Sequence, residues 1–143
     1  LSPPYKPANG PLGDVAELVF IKGFTPEILM SGVDSSGLSD LLTIFSDNKI
    51  NVNIASPLIL QMLGYSTDSV EKILNERELR PLSMNILMNI DRQTTSSLTR
   101  VIKFSSSFFC IRAVADCNGV MSTQSLIVQR TSSGIKRLKW ERN

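Results

Sequence analysis

A chain of 143 residues has room for one ordinary domain or two small ones, and an apolar fraction of 42% is ample for a packed core, which argues against disorder. Fifteen basic residues stand against thirteen acidic ones; they are scattered, with their densest run at Lys136, Arg137, Lys139 and Arg142, so a net charge of +2 implies no strong field for a polyanion. The complete absence of histidine removes the commonest general base, the usual partner of a catalytic serine or cysteine, and most zinc sites, so a non-enzymatic role is expected.

In chain order, Leu1 to Gly13 contains Pro3, Pro4, Pro7 and Pro11 and reads as an extended lead-in. The start carries no targeting pattern, so a processed or excised segment is expected, with any signal or anchor upstream. Asp14 is suited to cap a helix with Val15, Leu18 and Val19 on one stripe, and Gly23 stops it. Thr25-Pro26-Glu27 restarts a short helix in the preferred order of hydroxyl cap, first-turn proline and acid near the positive end of the dipole. A loop is expected over Gly32 to Gly37, a short buried strand or extended segment over Leu41 to Phe45, and a turn at Ser46 to Lys49.

A second helical unit follows. Ser56-Pro57 caps Leu58 to Leu63, the longest apolar stretch, which Gln61 interrupts and which falls far below the ~20 residues of a membrane span. Gly64 ends it, and Ser66 or Thr67 caps a longer helix with Val70, Ile73 and Leu74 on its inner face, closed by Pro81. Ser83 to Ile90 has the pattern of one more short helix, whereas Gln93 to Thr99 is polar and ambiguous. From Val101 the period changes to two, and Asn118-Gly119 signals a type I′ hairpin. That turn pairs Cys117 with Val120, Ile111 with Leu126 and Phe109 with Val128, collecting Phe109, Ile111, Ala113, Ala115, Leu126 and Val128 on one face. Ile135 to Trp140 adds a further antiparallel strand after Ser132-Ser-Gly134, with Leu138 and Trp140 on the same side. The fold class expected is α+β: a helical domain over 1–98, then an antiparallel sheet over 99–143.

Laying Leu18–Leu29 over Ile59–Val70 at an offset of 41 aligns Gly23 with Gly64, Phe24 with Tyr65, Thr25 with Ser66 and Glu27 with Asp68. Each unit, about 14–30 and 56–79, is helix, glycine turn, aromatic, hydroxyl cap and second helix, the chemistry of tandem helix-hairpin-helix-like (SAM-like) units. Such hairpins can hold a nucleic-acid phosphate on backbone N–H groups when lysines or arginines stand near. Only Lys22 accompanies the first turn and none stands beside the second, so a compact scaffold is the favoured reading and no DNA affinity is expected. Ser105 to Ser107 and Asp116 have no activating partner and read as a polar strand edge. Cys110 and Cys117 suit either an oxidising compartment or two buried thiols. They are expected not to bridge each other, since seven residues of strand span roughly 23 Å and a disulfide needs Cα atoms within about 7 Å.

Lys49-Ile-Asn-Val-Asn-Ile-Ala-Ser-Pro57 resembles the "INVNTA" signature that precedes a helical hairpin in K-type minor pseudopilins of type II secretion and in competence DNA receptors, with Ile54 in place of the usual threonine. Val15 to Leu29 resembles the pseudopilins' "-EL--VKG-TPEL-" stretch, and Leu38 to Phe45 their "GL-D-LTVY". Ser106 to Ala113, Leu126 to Arg130 and Leu138 to Glu141 are similar to their "S-YF-I-A", "AVV-R" and "L-WRE" segments. The likeness runs in family order from about Asp14 to Glu141.

What it implies is a pilin-type sheet after the helical part, and the periplasmic portion of a parent anchored in the inner membrane by an N-terminal helix absent here. Its partners would be the I- and J-type minor pseudopilins, at the tip of the pseudopilus that it primes or caps. Gly23, Thr25, Asn51, Asn53, Gly64 and Ser66 would then be structural, the asparagines fixing the turn by side-chain to backbone hydrogen bonds. Some members of the family bind calcium, and Asp34, Asp40 and Asp47 are the loop acids that can supply oxygens; their spacing matches no calcium loop, so no ligand is assigned. A helix-hairpin-helix DNA-binding protein of the competence-receptor type is the alternative. The apolar sheet face is expected to be covered, either by the helix from Asp68 to Leu79 or by an upstream pilin helix, so that Ile111→Asp would cost several kcal/mol.

Overall fold

The computed structural model describes residues 9–30 and 37–142, and packing divides the chain between Phe45 and Ser46 into two units. The expected passage from helix to strand near residue 98 lies inside the second unit.

In the first unit a 3-10 helix, Val15–Phe20, begins where the Asp14 carboxylate accepts from the Ala16 N–H at 2.9 Å. Gly23 takes φ +104°, a left-handed angle that glycine adopts without a Cβ penalty. α1 (Pro26–Leu29) and α2 (Leu38–Leu41) are single turns, tied where the Ser39 hydroxyl donates to the Leu29 carbonyl at 2.5 Å. No strand forms over Leu41 to Phe45: Leu41 ends α2, and Leu42, though extended, is 43% exposed. A buried strand needs a ladder partner, and the apolar run by itself could not specify one. The loop expected at Gly32 to Gly37 falls, apart from Gly37, outside the described residues, as does most of the proline-rich lead-in.

The second unit opens with a turn in which Asn48 has φ +61° and its N–H donates to the Ser46 hydroxyl. β1 (Ile50–Asn51) pairs in parallel with β2 (Ile102–Lys103), and the four remaining helices lie between them in sequence. α3 (Pro57–Met62) is capped by Ser56, whose hydroxyl accepts from the Ile59 N–H. Gly64, at φ +99°, turns the chain, and the Ser66 hydroxyl accepts from the Ser69 N–H to start α4 (Thr67–Leu79). α5 (Met84–Ile90) follows Pro81, and α6 (Arg92–Ser97) occupies the stretch whose polarity left it ambiguous. Asp91 decides that start: its carboxylate accepts from the Thr94 N–H at 2.9 Å.

One core serves these helices. Leu60, Ile73, Leu87 and Val52 are fully buried, joined by Tyr65, Val70, Leu82 and Ile102. At about 1.5–3 kcal/mol for each fully buried large apolar side chain, this cluster is the main stabilising element of the unit.

β3 (Phe108–Cys117), β4 (Val120–Thr131) and β5 (Gly134–Arg142) form a three-stranded antiparallel sheet in that order. Asn118 and Gly119 both have positive φ, 53° and 82°, as a type I′ turn requires, and the register pairs Cys117 with Val120, Ile111 with Leu126 and Phe109 with Val128. Between β4 and β5 a bulge sits opposite Ile127/Val128, so Trp140 pairs with Leu126 and Arg137 with Val128, and Leu138 falls between. The mixed helix-plus-sheet class is as the sequence implies.

The cover expected for the sheet is not supplied by α4. Its Val70 and Ile73 are spent in the helical core, which includes no residue of β3 to β5. Among the described residues the apolar face is open: Phe109, Ile111 and Trp140 are 41%, 55% and 70% exposed, and only Val128 is buried. The large cost expected for Ile111→Asp is overturned with it, because a half-exposed side chain at the sheet surface lets a carboxylate reach water.

Candidate functional site

The six residues singled out by sequence occupy three kinds of place. Gly23 and Gly64 sit at the left-handed turns, Thr25 and Ser66 just before the helices that follow, and Asn51 and Asn53 at the end of β1. At the first turn Thr25 makes no capping bond to the backbone; its hydroxyl instead holds the Glu27 carboxyl below the ordinary range. At the second the cap is made, and the first turn of α4 carries the acidic Asp68.

The densest polar geometry belongs to the asparagines. Asn51 is buried; its amide donates to the Ser106 hydroxyl at 2.9 Å, and its Oδ1 accepts from the Asn53 N–H at 3.1 Å, closing an Asx turn. The Asn53 amide reaches both ways, donating to the Phe104 carbonyl at 2.9 Å and accepting from the Leu82 N–H at 2.8 Å. The Ile54 and Ala55 N–H groups donate back to the Asn51 carbonyl, and Arg77 on α4 donates to the Ala55 carbonyl at 2.7 Å. Segment 50–55 is thereby clasped to α4, to the chain beyond Pro81, and to the segment leading into the sheet. The partners Ser106, Phe104, Leu82 and Arg77 carry no local sequence signal; only folding brings them together.

A second polar cluster lies within the helical core. The Tyr65 hydroxyl bonds to the fully buried Thr95 hydroxyl at 3.0 Å, and Thr95 donates to the Leu87 carbonyl at 3.2 Å. Burial pushes the Tyr65 phenol up. Nearby, the Ser69 hydroxyl donates to Asp91, whose carboxyl is held below its usual value chiefly by the Thr94 backbone N–H. These groups bond to one another and to the backbone around the helical core. Every buried side-chain polar atom among the described residues has a partner.

Asp40 accepts from the Gly37 N–H, and Asp47 accepts from the Lys103 ammonium at 2.8 and 2.9 Å, which lowers its pKa; Asp34 lies outside the described residues. Among the described residues no group of three or more carboxylates or thiols is placed for a metal ion. Cys110 and Cys117 are exposed free thiols seven positions apart on β3, which puts them on opposite faces. The open sheet face holds a shallow apolar depression of about 430 Å³, lined by Ile111, Leu126, Leu138 and Trp140 among others. No described helix is long and apolar enough to cross a membrane. No family model, curated protein or solved structure matches the chain.

The geometry thus comprises a clasped helical scaffold and, among the described residues, an uncovered apolar sheet face.

Proposed function

We propose that this chain is the ectodomain of a K-type minor pseudopilin, a periplasmic, inner-membrane-anchored component that primes or caps the tip of a type II secretion pseudopilus together with I- and J-type partners. Its work is assembly by shape and contact, with no bond chemistry. The observation that carries the reading is the open apolar face of the antiparallel sheet, with Ile111 and Trp140 55% and 70% exposed, lying after a helical part in the order that the sequence likeness implies. Such a face is incomplete without a cover, and a long pilin helix is a cover of the right kind.

In this reading the segments on either side of Gly23 and Gly64 are tandem helix-hairpin-helix units. Supporting that are the two left-handed glycines 41 positions apart and the helices that begin at Pro26 and Thr67, each one residue after the aligned hydroxyl residue. The units serve as scaffold, since Asp68 rather than a lysine or arginine stands in the first turn of α4 and would repel a phosphate.

Co-purification of the full ectodomain with the I- and J-type minor pseudopilins of the same cell tests the reading. A stable complex is expected. Failure to bind them, together with a salt-sensitive complex with duplex DNA, would overturn it in favour of a DNA-binding hairpin protein.

A further inference from the structure

The two outer edges of the sheet are unlike. β5 carries Lys136, Arg137 and Lys139 and is broken by the bulge at Leu138, both devices that discourage another strand from pairing. β3 has neither. Its ten residues pair with β4 in unbroken register, it contains no proline, and its side chains from Phe109 to Cys117 are all exposed. Among the described residues no strand pairs with its outer edge.

The charges on that edge are Arg112 and Asp116, four positions apart and therefore on the same face, with Val114 midway. The two-residue turn closes on the Cys117–Val120 pair, so the odd-numbered residues of β3 direct their N–H and C=O groups to β4. The even-numbered residues, Arg112, Val114 and Asp116 among them, direct theirs outward. An antiparallel copy of β3 centred on Val114 therefore meets these outward groups in phase, and places Arg112 opposite Asp116 of the other copy twice over. Directly opposite side chains have Cβ atoms about 4.5–5.5 Å apart, close enough for both ion pairs to form.

We propose that the outer edge of β3 is a self-complementary docking surface on which a second copy of this chain adds antiparallel, making a continuous six-stranded sheet with its two-fold axis at Val114. The inference is independent of the secretion reading. The assembly stops at two, because each copy has one open edge and β5 repels further addition. Cys110 and Cys117 fall opposite Asn118 and Ile111 of the other copy, so the interface forms without a disulfide.

The test is native mass spectrometry and light scattering of the intact chain and its charge variants. The wild type is expected as a dimer whose Arg112, Val114 and Asp116 amides exchange slowly with solvent. Arg112→Glu sets like charges opposite each other and should weaken the dimer by about tenfold or more, freeing those three amides, while Arg112→Lys keeps it. Asp116→Arg should also be monomeric; because it gives up the bond that Asp116 accepts from the Gly119 N–H, its fold is checked by circular dichroism. Mixing Arg112→Glu chains with folded Asp116→Arg chains restores opposite charges at both positions and should yield heterodimers alone. A wild type that stays monomeric at every concentration overturns the proposal. So does a dimer indifferent to Arg112→Glu, which would place the contact elsewhere.

Discussion

Replacing Asn53 by alanine removes the clasp at its centre. Two side-chain hydrogen bonds disappear, those to the Phe104 carbonyl and from the Leu82 N–H. Leu82 is 3% exposed, so water has little access to its abandoned N–H. A typical net hydrogen bond contributes about 1 kcal/mol, and a buried group left unpaired costs about 1–3 kcal/mol, so the sum expected is about 2–4 kcal/mol. For a unit of this size each kcal/mol lowers Tm by about 4–8 °C. Ile54→Ala, one residue along at a side chain 72% exposed, should stay within about 0.5 kcal/mol and serves as the control. Urea titration gives the difference in stability, and amide exchange reports on the Leu82 N–H, which should lose protection in Asn53→Ala. Asn53→Asp keeps an acceptor for Leu82 but sets a negative charge against the Phe104 carbonyl, and should not rescue. An alanine variant as stable as the control, with the Leu82 amide still protected, would refute the clasp.

Ile111→Asp should change stability by no more than about 0.5 kcal/mol, as at other surface positions, and a urea midpoint shifted by far more would mean that the face is covered in solution. Thr95→Val should cost about 1–3 kcal/mol by urea titration, because the Tyr65 hydroxyl loses its partner inside the core, whereas the Leu87 carbonyl keeps the bond from the Asp91 N–H. Asp91 has a folded pKa below its unfolded value, so its contribution is complete above the ordinary carboxylate range and is lost as pH falls through the folded pKa. Asp91→Asn should therefore flatten the acid side of the stability curve while leaving a cap at α6, which denaturation midpoints taken from neutral to acid pH would read.

How legible the molecule was in its sequence follows from how local each determinant is. Asn118-Gly119 fixes its own backbone angles, and with them the whole β3–β4 register. Ser56, Ser66 and Gly64 mark helix boundaries through bonds or angles spanning a few residues. β1 and β2 are two residues each, too short to show a period, and pair across 52 positions, so nothing near Ile50 announced them. The bulge at Leu138 was not foreseen, although Leu138 and Trp140 still line the same depression, because a bulge is specified by the partner strand as much as by its own residues. Of the candidate site, the asparagines were visible as residues that bond to the backbone. Their partners were not, since the bond from Asn51 to Ser106 crosses 55 positions.

That separation bears on how the protein folds in time. α3 to α6 meet through contacts close in sequence, whereas joining residues 51–53 to 104–106 closes a loop of about fifty residues, and the entropy of that closure is lost before the clasp returns any stability. The helical nucleus should consequently form first, with the parallel pair and its asparagines locking late. Substitutions at Asn51 and Asn53 would then leave the refolding rate almost unchanged and act on the unfolding limb, making the clasp a determinant of how long the native state lasts.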